Sequence, residues 1–242
     1  MCGKPPAFRV TFCFFFRGEA QPRRVQIKMG RSPGKAEPFR TSSGGAAHKT
    51  VNLVKMFLPR RPAPQKIKNF LERSQGLPLS YGPAGIAQEA PRGFKIDEVS
   101  SVIGQGVETF ARAKQALTNW NQFELGWVEL HPRGAPIEIG TVVAVLVRHL
   151  GFWSLNGCRI VYLIDEDEMK YGFAYGTLAN HAELGEEIFE VSFDPASQEV
   201  NYRIRAVSKA HGAAARIGFP YTRFLQDRFR KDSIAAMRRA VS

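Results

Sequence analysis

The stretch GTLANHAELGEE, residues 176–187, sets one histidine and three carboxylates between two aromatic-rich runs. His181 with Glu186 and Glu187 is a set suited to general acid–base chemistry, because an imidazole and a carboxylate brought together can move a proton near neutral pH. Strand parity separates the two carboxylates, since residues two apart share a face. Glu187 has the parity of Phe189, Val191 and Phe193 and is expected on the core side, where desolvation would raise its pKa. Glu186 has the parity of Glu190 and Ser192 and is expected to face water. The purely structural alternative is that His181 caps a turn and Glu187 bridges a cation such as Arg228 or Arg230. In the preceding run Tyr171, Phe173, Tyr175 and Thr177 share one face. The other holds only Gly172, Ala174 and Gly176, which would let a further element approach the backbone closely.

Other sets that could do chemistry are weak. The GQG at 104–106 lacks the third glycine of a dinucleotide loop, and there is no GxSxG, HExxH or Walker loop. The DEDE run at 165–168 lacks the ligand alternation and glycine of a calcium loop and reads as a solvated turn. Cys2, Cys13 and Cys158 are widely spaced and suggest neither a disulfide framework nor a zinc site. The sequence calls for no cofactor and no metal. A reducing, cytoplasmic compartment fits this cysteine usage.

The elements that must position these residues follow from periodicity. Residues 64–73 have helical spacing behind a proline, and the segment 74–85 breaks it with Gly and Pro. A strand is expected over 94–104 and an amphipathic helix over 105–120, ending at Trp120. Strands then follow at 127–130, 141–148, 158–164, 171–177, 187–193 and 200–207. In the last of these, Val200, Tyr202, Ile204 and Ala206 face one way, and Asn201, Arg203 and Arg205 the other. A long helix over 221–241 carries Tyr221, Phe224, Leu225, Phe229, Ala236, Met237 and Ala240 as its apolar stripe. With no βαβ alternation after the first strand and helix, the order implies an α+β domain: a curved antiparallel sheet packed on a long C-terminal helix. This is the element order of the helix-grip, Bet v 1 and START-like proteins.

The formal charge of +12 is unevenly spread. Residues 1–55 hold 11 of the 34 basic residues and two of the 22 acids, so the leader accounts for +9 and the remainder for +3. The folded part is therefore not expected to bind nucleic acid. The leader, with its RSPGKAEPFRTSSGGAAHK tract, has the composition of a disordered segment. It reads as a dispensable tail, an upstream extension with the working start at Met56, or an organellar transit peptide; the last would move the expected compartment to an organelle. Residues 56–242 are expected to form a single α+β domain. No run is long and apolar enough for a transmembrane helix. Arg228, Arg230, Arg238 and Arg239 would allow peripheral contact with an anionic membrane, although Asp227 and Asp232 dilute that patch. Nothing in the sequence sets an oligomeric state.

The run YGTLANHAELGEEIFEV, an SK pair at 208–209 and GFPYTRFLQDRFRKDSIAAMRRAV together resemble the family known as domain of unknown function 1990, of the UPF0548 type. The earlier FLERSQGLPLSYGPAG and the ALTNW that closes the middle helix are similar to that family too. The resemblance covers about 56–241, and SKAHG at 208–212 departs from its usual pattern. It implies no established reaction. Element order and aromatic strand faces favour binding of a small hydrophobic or amphipathic ligand between sheet and last helix. Tyr171, Tyr175, Thr177, His181, Glu187, Trp120 and Phe229 are the expected lining. The alternative is an enzyme using a His181/Glu187 acid–base pair on a small carbonyl or ester substrate.

Overall fold

A computed structural model describes residues 27–29, 57–166, 169–181, 183–210 and 219–242. Most of the basic leader and the tip of the DEDE turn lie outside the described residues. Within the leader, β1 (Ile27–Met29) forms a short strand antiparallel to β6 (Trp153–Glu166), where no strand was expected. β2 (Phe57–Leu58) also pairs with β6.

The body contains α1 (Pro64–Ser74), α2 (Ile86–Glu89), β3 (Lys95–Gln105), α3 (Val107–Thr118) and β4 (Val128–His131). It continues with β5 (Val142–Arg148), β6, β7 (Lys170–Thr177), β8 (Glu183–Phe193), β9 (Glu199–Ala210) and α4 (Phe219–Val241). The antiparallel sheet runs β3-β9-β8-β7-β6-β5-β4 and curls around α4 in the expected helix-grip arrangement. β8 starts at Glu183, four residues earlier than alternation alone suggests, because Glu183–Ala210 and Leu184–Lys209 extend its ladder with β9. The DEDE run likewise begins inside a strand, with Asp165 and Glu166 paired to Tyr171 and Lys170.

Both faces of the sheet are covered. The concave face carries Phe173, Phe189, Val191, Tyr202 and Ile204 against Phe110 and Leu117 of α3 and Met237 and Val241 of α4. On the convex face Ile67 of α1 packs with Ala144, Leu146 and Leu155. Beside it, Ile86 and Ala87 of α2 pack with Tyr162, Ala174, Ile188 and Val207. A bulge between Ile160 and Tyr162 explains why these two residues, which alternation would place on one face, are buried on opposite faces: one extra residue reverses the parity. Phe224, placed on the apolar stripe of the last helix by its spacing, is 60% exposed. Ser233, fully buried and bonded to the Tyr202 hydroxyl at 2.9 Å, belongs to the buried side instead.

Side-chain size along three strands decides where the core closes. Toward one end the concave face reads Phe193, Val191 and Phe189 on β8, Phe173 on β7, and Val200, Tyr202 and Ile204 on β9. Toward the other end the same faces read Glu187, Gly185 and Glu183, then Thr177, then Ala206 and Ser208. Large side chains fill the space under the C-terminal half of α4. Small and polar ones leave its N-terminal half standing over a void.

Candidate functional site

That void is a cavity of about 660 Å³ between the sheet and the first three turns of α4. Its apolar wall includes Phe123, Trp127, Val147, Leu225 and Phe229, and its polar wall includes Glu187, Glu183, His181, Asn156 and Ser154. α4 is pinned over it by Trp127, whose Nε1 donates to Asp232 Oδ2 at 2.8 Å while the Arg228 guanidinium lies 4.6 Å from its ring centroid.

Glu187 lies on β8 beside Tyr175, and the Tyr175 hydroxyl donates to its Oε2 at 2.7 Å. Burial drives the Glu187 carboxyl up to about 7, against the lowering effect of that hydrogen bond. Burial and the neighbouring carboxylate together push the Tyr175 phenol well above its ordinary range. Glu183, on the same face of β8, is raised by burial as well and is held by Gln226 Nε2 at 3.1 Å. Among the described residues neither carboxylate forms an ion pair. Arg230 is instead engaged with Asp227, and Arg223 with Asp97 and Gln226.

His181 and Glu187 both border the cavity but share no hydrogen bond. His181 Nδ1 lies 2.9 Å from the Glu183 backbone nitrogen and 3.1 Å from the Glu183 carbonyl oxygen, so the ring is turned to the Glu183 backbone. Burial lowers its pKa to about 4, so the ring is neutral at physiological pH. The acid–base pair expected from the sequence is therefore two separate groups, each held by its own partner. At the other side of the polar wall, Ser154 Oγ joins His149 Nε2 at 2.8 Å and Asn156 Nδ2 at 3.1 Å. Asn156 Oδ1 is buried without a partner.

Of the residues named from the sequence, Tyr175, Thr177, His181, Glu187 and Phe229 border the cavity, and Tyr171 and Trp120 do not. Tyr171 sits at the filled end, its hydroxyl 3.0 Å from Thr118 Oγ1 and its ring under Lys114. Trp120 follows the C-cap of α3 in a left-handed conformation (φ 61°), which turns its indole into the core, where Nε1 donates to Ala135 O at 2.8 Å. Phe123, His149 and Asn156 also border it, from segments that carry no alternation to reveal which way a side chain points, and so does Tyr221, which the helical spacing placed on the apolar stripe but not at a cavity.

Glu186 corrects the parity reading. It does lie on the face opposite Glu187, but that face is roofed by the segment 79–87 and Glu186 is only 2% exposed. Its Oε1 accepts from Tyr81 Oη and Gly85 N, both at 2.7 Å, and its Oε2 from Ala87 N at 2.9 Å. The roof continues with Ser80 N donating to Thr177 O and with Arg205 Nε donating to Ala87 O. Gly176 is the floor beneath Tyr81. A methyl group there would overlap Tyr81 Oη and lie 3.0 Å from Leu79 Cδ2. Gly176→Ala is accordingly expected to cost about 1–3 kcal/mol in urea denaturation, and an unchanged midpoint would show that the roof can lift freely.

The two halves of the sequence signature, YGPAG and GEE, thus meet at one carboxylate. A family model described as "Domain of unknown function (DUF1990)" matches residues 80–236. The chain belongs to the DUF1990 family. A UPF0548 protein of Dictyostelium discoideum is 34% identical to this DUF1990 chain over 207 residues, covering 77% of it and 96% of the relative. One from Deinococcus radiodurans is 34% identical over 185 residues, covering 71% and 88%. Among solved structures, that of Ara h 8.0201 covers 62% of this chain and 98% of its own, at 15% identity and a TM-score of 0.39.

Three of the four arginines expected to allow membrane contact are committed within the DUF1990 domain. Arg228 bonds Asp232, Arg230 pairs with Asp227, and Arg238 reaches Ser101 Oγ and the Val102 carbonyl. No helix of the described residues is long and apolar enough to cross a membrane.

Proposed function

We propose that this DUF1990 chain binds a small amphipathic molecule in the cavity between sheet and α4. The supporting observation is the cavity itself. Its volume falls within the range of small-molecule sites, and an apolar wall faces a few convergent polar groups. The apolar part of the ligand would lie against Phe123, Leu225 and Phe229, and its polar end toward Glu187.

Ala206 borders the void from β9, directly opposite Glu187 in the ladder. Ala206→Phe is expected to fill the space and weaken uptake of a neutral fluorescent probe such as N-phenyl-1-naphthylamine by at least about tenfold, or 1.4 kcal/mol. Its circular dichroism should match the wild type. Equal uptake by a correctly folded variant would count against the cavity as the binding site.

A second reading, general acid–base catalysis, is favoured by the Glu187 pKa of about 7 at a pocket wall. It rests on Glu187 alone, since His181 is turned to the Glu183 backbone. Turnover of small carbonyl or ester substrates that is lost in Glu187→Gln and kept in His181→Ala is the expected pattern for it; turnover unaffected by Glu187→Gln removes it.

A further inference from the structure

Resting on the binding reading above, the inference concerns the chemical class of the ligand. Glu183 and Glu187 are four residues apart on one face of β8, with Gly185 between them. A buried carboxylate normally has a cation or several donors around it. Glu186, one residue away on the other face, shows how this chain satisfies one, with three donors. Glu187 has a single donor, the Tyr175 hydroxyl, on Oε2. Its Oε1 has no partner among the described residues, and Glu187 borders the cavity.

The charged groups around Glu187 do not supply a counter-ion. From α4, Arg230 approaches but is bound to Asp227. From β3, Asp97 adds negative charge and occupies Arg223. Lys95 also turns to Asp97, at 3.7 Å. From β6, β7 and β9 come Cys158, Tyr175 and Tyr202, all neutral because burial pushes their pKa values up. His181 is neutral too. Lys209 borders the cavity, but it pairs with Leu184 in the ladder, on the parity opposite to Glu183 and Glu187, and among the described residues it forms no ion pair with either. A second, independent observation points to a missing donor. Asn156 lines the same cavity, is 7% exposed, and leaves Oδ1 without a partner. The surroundings also suit a cation. Phe123 lies 6.3 Å from Tyr175 and 5.3 Å from Phe229, ring centroid to centroid, and aromatic faces attract ammonium groups.

We propose that the ligand is a cationic amphiphile, an apolar body carrying a protonated amine that pairs with Glu187 Oε1, with Glu183 adding to the negative field and Asn156 Oδ1 taking a further donor. An anionic amphiphile such as a fatty acid would meet two uncompensated carboxylates and be rejected. The amine supplies the positive charge that the fold gives to Glu190 of β8, through Arg203, and withholds from Glu183 and Glu187.

The test uses octylamine, octan-1-ol and octanoate, which share one alkyl body and differ in the head group. Each competes with N-phenyl-1-naphthylamine on the full chain, read by dye fluorescence. The dye is expected to bind, and to be displaced in the order amine, alcohol, carboxylate. At pH 8 the amine should outcompete the alcohol roughly tenfold, since a charge-assisted hydrogen bond contributes at least that much. Amine affinity should fall roughly tenfold from pH 8 to pH 6 as the Glu187 carboxylate, with its pKa of about 7, takes a proton; alcohol affinity should not change. Glu187→Gln should still bind dye and alcohol, showing that it folds, and should lose the preference for amine. Dye that binds but is displaced equally by all three, or best by octanoate, overturns the cationic ligand and leaves the binding reading standing. A chain that takes up no dye and none of the three competitors overturns the binding reading and this inference with it.

Discussion

Glu187→Gln is expected to be more stable than the wild type at pH 8, by up to about 3 kcal/mol, and equal to it at pH 4. The folded carboxyl titrates near 7 against an ordinary value of 4.5. Between those values the native state keeps a proton that the unfolded chain has lost, so stability declines as pH rises through the window. Above pH 7 the whole penalty of an uncompensated buried carboxylate is present, and glutamine removes it while still accepting from Tyr175. Water can enter the cavity beside Glu187, which makes the figure a ceiling.

His181 works in the opposite sense. Its folded pKa of about 4 lies below the ordinary 6.5, so the native state excludes a proton that the unfolded chain binds. This contribution is complete above pH 6.5 and is lost as pH falls toward 4. The two opposing slopes overlap between 4.5 and 6.5 and offset each other in the wild type. Glu187→Gln should expose a stability that rises with pH there, and His181→Gln one that falls. Urea midpoints from pH 4 to 8 read both, and parallel curves for all three proteins would show that neither group has the shifted titration.

The second large effect is at Glu186. Replacing it with alanine leaves Gly85 N, Ala87 N and Tyr81 Oη without their acceptor beneath a closed roof, and is expected to cost about 3–5 kcal/mol. Tyr81→Phe removes one donor and should cost about 1–1.5 kcal/mol. In the Glu186→Ala background Tyr81→Phe should cost almost nothing, since the hydroxyl no longer has a partner. Additive losses in that cycle would mean that the roof is held by packing of Ile86 and Ala87 alone.

The α+β class, the strand series and the long last helix were legible in periodicity, because each strand carries its own alternation and the helix its own stripe. The split between Glu186 and Glu187 was legible for the same reason. That the Glu186 side is dry was not, because it depends on a segment 100 residues earlier folding over β7 and β8. Ala174 and Gly176 did announce a close neighbour, and that neighbour is α2 with Tyr81, whereas Gly172 lies against the backbone of Phe189 and Glu190 in β8. Trp120 misled because helical spacing continues through it, whereas the chain turns left-handed there. Tyr171 misled because parity names a face but not a position along it. The position could have been read from side-chain size: Thr177, Gly185, Ala206 and Ser208 fall at one end of the concave face and the large aromatic residues at the other.

The roof over Glu186 also sets an order in time. Its landing site, made of Gly176, Glu186 and Arg205, belongs to three different strands and exists only after β7, β8 and β9 have paired. Docking of residues 79–87 is therefore expected to be a late event in folding, on the native side of the rate-limiting barrier. Stability lost there should appear in the unfolding rate, faster by roughly a hundredfold or more for Glu186→Ala, with the refolding rate unmoved. A contact that closes last is also the first to open, so unfolding of the outer face is expected to begin at the seam between YGPAG and GEE.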